Sequence, residues 1–108
     1  MYKVGNRVYF QPRDYVLSAI NDVMELQKGK ETASDIANGK ISFAVRMYYS
    51  EWEVQFTVTE DAGANRCIVE IGIDGDVGNK DDRILREYAL LDSMLAVSTK
   101  MELLEDRA

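Results

Sequence analysis

Between Ile41 and Asp74 the chain runs through three consecutive segments in which apolar residues recur at every second position. Ile41, Phe43, Val45, Met47 and Tyr49 alternate with Ser42, Ala44, Arg46 and Tyr48. Trp52, Val54, Phe56 and Val58 alternate with Glu53, Gln55 and Thr57, and Cys67, Val69, Ile71 and Ile73 with Ile68, Glu70, Gly72 and Asp74. A period of two is the signature of strands with one buried face. The apolar set is odd-numbered, then even, then odd, so two successive antiparallel hairpins can keep all three sets on one side of a sheet. A tight turn at Ser50-Glu51 would set Tyr49 opposite Trp52, Met47 opposite Val54, Val45 opposite Phe56 and Phe43 opposite Val58. A looser turn around 60–65 would set Val58 opposite Cys67, Phe56 opposite Val69 and Val54 opposite Ile71. Ser-Glu suits the positive φ of a two-residue turn poorly, so a longer turn of the same parity serves equally.

Helical patterns flank this meander. Pro12 suits a first helical turn, Asp14 lies in that turn, Val16, Ala19, Ile20 and Val23 follow helical spacing, and Lys28-Gly29 is a stop, which predicts a helix over 12–28. Residues 31–39 read as a connector with room for a helical turn at 34–37, closed by the Asn38-Gly39 turn signal. Asn79 can cap a second helix over about 80–104, with Asp81 and Asp82 in its first turn. That helix carries two apolar stripes: Ile84, Tyr88, Leu91 and Leu95, and Leu90, Met94, Val97, Met101 and Leu104 at alternating spacings of four and three. The expectation is a single α+β domain over 1–108, a two-layer α-β-β-β-α arrangement of a three-stranded antiparallel meander with both helices on one face. Three strands about 4.8 Å apart are narrower than two helices about 9 Å apart, so something must widen the sheet. The candidates are the N-terminal segment, where Tyr2, Val4, Val8 and Phe10 alternate with Lys3, Arg7 and Tyr9, and an element of a second copy of the chain.

Several function classes are disfavoured. The net charge is −6, and the imbalance lies in residues 47–108, which hold six Lys/Arg against fourteen Asp/Glu. Without a basic cluster, nucleic acid is not an expected partner. The sequence has no histidine, so Ser-His and Cys-His nucleophile pairs are excluded along with the usual zinc ligand. Cys67 is the single cysteine and falls on the inward face, where an inert core thiol is expected. The acidic run 74–82 fails as an EF-hand, with Asn79 where glycine is needed and Leu85 where the bidentate glutamate should stand, and reads as a strand-to-helix turn. Gly5-Asn6 is read as a turn signal, and the outer row Arg46, Gln55 and Glu70 as a solvated polar face. No apolar run reaches membrane-spanning length and no signal-peptide pattern opens the chain, so a complete, cytoplasmic protein without membrane association is expected.

In topology, the α-β-β-β-α order with acidic composition resembles the front half of type III secretion chaperones, dimers that hold client proteins, although this chain stops before that family's further strands and last helix. The same order is similar to that of small bacterial nucleoid-associated dimers, where a stretch like Cys67 to Asp82 also runs into a helix. A meander closed by a long C-terminal helix resembles short lipid-binding helix-grip folds. No motif of these families is present. The expected function is therefore that of a non-enzymatic interaction module, with no catalytic, cofactor or metal residues, acting as a homodimer through Leu90, Met94, Val97, Met101 and Leu104. The competing reading of that stripe is that the first helix covers it within the same chain. The alternative functions are an apolar ligand held between the aromatic face (Phe43, Tyr49, Trp52, Phe56) and the last helix, and a secretion-chaperone-like hold on a client protein.

Overall fold

The structure, a computed structural model, describes residues 1–47, 50–61, 66–75 and 78–106, with 47 and 97–106 described through their backbone alone. The elements run β1 (Tyr2–Tyr9), α1 (Arg13–Leu26), β2 (Lys30–Asp35), a 3-10 turn (Ile36–Asn38), β3 (Lys40–Met47), β4 (Ser50–Asp61), β5 (Arg66–Gly75) and α2 (Lys80–Asp106). Five strands form one sheet in the order β1-β5-β4-β3-β2, every pair antiparallel. Both helices pack on one face of that sheet, as the two-layer expectation required.

The alternation places its residues as read: Ile41, Phe43, Val45, Trp52, Val54, Phe56, Val58, Cys67, Val69, Ile71 and Ile73 are all buried. The pairing itself differs from the expected one. β3 ends at Met47 opposite Ser50, so Val45 faces Trp52, Phe43 faces Val54 and Ile41 faces Phe56. Across the next hairpin Phe56 faces Ile71 and Val54 faces Ile73. Both hairpins slid by an even number of positions, which leaves the described residues on their predicted faces; the Met47 side chain and Tyr49, also expected inward, lie outside the described residues. On the outer surface the slide puts Gln55 between Ser42 and Gly72 and sets Arg46 against Glu51, in place of the expected Arg46–Gln55–Glu70 row.

Two strands widen the meander. β1 joins at β5, the N-terminal role foreseen for it, and β2 joins at β3 in what the sequence presented as a connector. All six residues of β2 are exposed, so it buries nothing that periodicity can register and is held through its backbone as an edge strand. Its return to β3 runs through Asp35, whose carboxylate accepts hydrogen bonds from the Asn38 amide groups (backbone 3.4 Å, side chain 2.8 Å), and through Gly39 at φ 69°. Gly39 also accepts a 2.7 Å hydrogen bond from the Val58 N–H, and a Cβ there would stand 2.1 Å from the Val58 carbonyl oxygen.

The Gly5-Asn6 turn signal is a bulge within β1. Tyr2 faces Ile73 and Lys3 faces Gly72, but past the bulge Asn6 faces Glu70, Arg7 faces Val69 and Tyr9 faces Cys67. One extra residue, allowed by Gly5 at φ 61°, exchanges the two faces of the strand from there on. Val8 and Phe10, expected inside with Val4, are consequently exposed, and Arg7 and Tyr9 turn toward the helices.

The helices begin where the sequence set them. Pro12 is the N-cap of α1, and Val16, Ala19, Ile20, Val23 and Met24 are its buried residues. The chain leaves α1 through Lys28 at φ 55°, and Gly29 lies so close to the Phe43 ring that a Cβ would meet it at 2.3 Å. At α2 the Asn79 side-chain oxygen accepts from the Asp82 N–H at 3.3 Å, the expected cap, and Ile84, Tyr88, Leu91 and Leu95 are buried against the sheet. Among the described residues no helix is long and apolar enough to cross a membrane.

Candidate functional site

Five hydrogen bonds locate α2 along β1 and the link that follows it. The Tyr2 hydroxyl donates to Asp81 (2.5 Å), the Tyr88 hydroxyl reaches Gly5, Asp92 accepts from both Arg7 and the Tyr9 hydroxyl (2.5 Å), and the Gln11 side chain donates to the Leu95 carbonyl at 3.3 Å. The middle of this ladder repairs the bulge. The Tyr88 hydroxyl accepts from the Ile71 N–H (3.3 Å) and lies within donating distance of the Gly5 (3.1 Å) and Val69 (3.2 Å) carbonyls, supplying partners where the β1–β5 ladder is interrupted. Burial, together with the bond to Asp92, raises the Tyr9 hydroxyl pKa well above its ordinary value, so Tyr9 stays a donor to that carboxylate. Asp92, Arg7 and Tyr9 were not singled out in the sequence; they meet only because the bulge turns Arg7 and Tyr9 to this face.

Gln11 lies in the link between β1 and α1, so the strand has ended and α1 has not yet begun at the level of Leu95. α2 nevertheless continues through residues 96–106, about 16 Å at 1.5 Å per residue. The molecule is correspondingly long, 47 × 27 × 22 Å, with a radius of gyration of 14.2 Å. A compact domain of this length would measure about 13 Å. Of the five stripe residues, Leu90 and Met94 are partly buried and pack against the core of their own chain. Val97, Met101 and Leu104 follow on the continuing helix, and their side chains lie outside the described residues. Phe10, which adjoins the junction at Gln11, is 75% exposed.

The aromatic face considered for an apolar ligand is occupied by protein. Phe43, Trp52 and Phe56 are buried, and the Phe43 and Phe56 rings stack at 5.7 Å with 6° between their planes. Tyr49 lies outside the described residues. Cys67 is buried, and burial together with the charge of Glu60 pushes its thiol pKa up, the opposite of what a reactive cysteine needs. Among the described residues no group of three or more Cys, Asp or Glu is arranged to hold a metal ion.

A second polar feature sits between the helices. Glu87, on the apolar stripe of α2, is 1% exposed, and its carboxyl accepts a 2.6 Å hydrogen bond from the side chain of Gln27, the C-cap of α1. Desolvation moves the carboxyl pKa up to about 7, against the lowering influence of Gln27, Arg86 and Arg83. Arg83, one turn earlier, lies over the Trp52 indole at 5.1 Å, and the buried indole N–H of Trp52 has no protein partner among the described residues. In the sequence Glu87 is a charge one position before Tyr88, between Ile84 and Leu91, a pattern that does not distinguish it from a surface residue.

No protein-family model matches the chain, and no curated protein does. Solved structures with a similar fold include CalU16 from Micromonospora echinospora, at 11% identity and a TM-score of 0.58, over 94% of this chain and 80% of that one. A protein from Nitrosospira multiformis aligns over 88% of this chain and 94% of its own at 13% identity, with a TM-score of 0.51. Both were structural-genomics targets, and at these identities the likeness is one of fold. The order β-α-β-β-β-β-α departs from the α-β-β-β-α order on which the resemblance to secretion chaperones and nucleoid-associated dimers rested.

Proposed function

We propose that this chain is a non-enzymatic interaction module that pairs with a second copy of itself through the far end of α2. The observation that carries this reading is the contact at Leu95: the strand and helix flanking α2 both reach their limit there, while α2 runs on through 96–106. The continuing sequence keeps the four-three spacing Leu90, Met94, Val97, Met101, Leu104 of a coiled-coil seam, and a seam of that kind is complementary to its own copy. With Met94 and Met101 at a positions and Val97 and Leu104 at d, Lys100 takes a g position and Glu105 the e position five residues on. Those are opposite charges at the two places that face each other in a parallel pair. Two heptads make a weak seam by themselves.

Light scattering coupled to gel filtration tests the proposal. The wild type is expected to run at twice the monomer mass at tens of micromolar, and Met101→Glu combined with Leu104→Glu at the monomer mass with unchanged circular dichroism. A monomeric wild type would sink the proposal, as would a double variant that stays dimeric. Native mass spectrometry of the same samples reports any co-purified small molecule, the finding that would favour the apolar-ligand reading instead.

A further inference from the structure

We propose that Glu87 makes the joint between α1 and α2 a pH-sensitive latch, closed while its carboxyl is protonated and progressively loosened as the solvated carboxylate becomes available. The geometry supplies both halves of such a device. The group is all but sealed from solvent, and its hydrogen-bond partner Gln27 is the C-cap residue of α1, so it bonds to the segment through which the chain leaves that helix. That segment is marked by Lys28 at φ 55° and by Gly29 pressed against the Phe43 ring.

The surroundings of Glu87 favour the neutral form. From α1 it meets the uncharged Gln27 amide; the charges acting on it, Arg86 and Arg83, belong to its own helix, and neither cancels the effect of burial. The inward residues of the sheet nearest this joint, Phe43 and Trp52, do not titrate. The sign follows from linkage. The carboxyl titrates at about 7 in the closed joint and near its ordinary value of 4.5 once solvated. Opening therefore releases a proton between these limits, becomes about tenfold easier for each unit of pH, and levels off above the closed-state value. Because the chain contains no histidine, no other side chain with an ordinary pKa titrates in the upper part of this window.

Hydrogen exchange of the Gln27, Lys28 and Gly29 amides, corrected for intrinsic rates, reads the latch directly between pH 5.5 and 8. In the wild type their protection is expected to fall about tenfold per unit up to pH 7 and then hold constant. Trp52, the only tryptophan and the residue under Arg83, should change its fluorescence with a midpoint near pH 7 as the closed joint ionises. Glu87→Gln preserves shape and cannot ionise, so both profiles should become flat while the thermal transition stays cooperative. Flat wild-type profiles would overturn the proposal. A transition that survives in Glu87→Gln would also overturn it, since that transition would belong to another group.

Discussion

Phe56 is the residue whose loss the architecture should feel most. It is fully buried at the centre of β4, faces Ile41 on one side and Ile71 on the other, and stacks on Phe43 at 5.7 Å. Phe56→Ala removes a ring the surrounding strands cannot close over, a change that typically costs about 3–5 kcal/mol, and it forfeits a ring pair worth about 1 kcal/mol. Domains of this size are stable by only about 5–15 kcal/mol, so a large share of the total would go. At about 4 °C per kcal/mol the melting temperature should drop by about 12–20 °C. The neighbouring Thr57 is half-buried on the outer face, and Thr57→Ala should cost less than about 1 kcal/mol. Urea titrations of the three proteins at one matched concentration decide the matter, since self-association would make midpoints depend on concentration. Equal losses in the two variants, or a larger loss for Thr57→Ala, would refute the assignment of inner and outer faces on which the core rests.

Gly39→Ala should destabilise by more than about 2 kcal/mol, because the substitution combines a left-handed backbone with a Cβ placed 2.1 Å from the Val58 carbonyl oxygen; a thermal melt within a degree or two of wild type would contradict this. Asp92→Ala removes the acceptor shared by Arg7 and Tyr9 and should cost about 1–2 kcal/mol, the lower end reflecting the partial exposure of the ion pair. Its signature would be faster hydrogen exchange in β1 than in β4, and uniform exchange across the sheet would argue against β1 being held by α2.

The sequence by itself determined the two layers and their contents. Strict alternation over 41–45, 52–58 and 67–73 assigns faces, and an even slide of either hairpin cannot change them, so the core assignments at these positions survived a wrong pairing. The capped start of α2 and its stripe Ile84, Tyr88, Leu91 and Leu95 were legible for the same reason, since both are local patterns. What the alternation did not contain was the pairing itself, the bulge in β1 and the strand β2. β2 buries no side chain, so its membership of the sheet is decided by backbone hydrogen bonds to β3 alone. In β1 a single extra residue at Gly5 exchanged the faces, sending Phe10 into solvent and Arg7 and Tyr9 to Asp92. The Glu87–Gln27 contact was equally out of reach: a glutamate beside an apolar stripe is ordinary on a surface, and only the approach of the end of α1 across sixty positions of chain removes its water. Local periodicity sets which side of an element is buried, whereas register, bulges and the desolvation of a single polar group depend on which distant segment arrives there, and that is settled by the assembled tertiary structure.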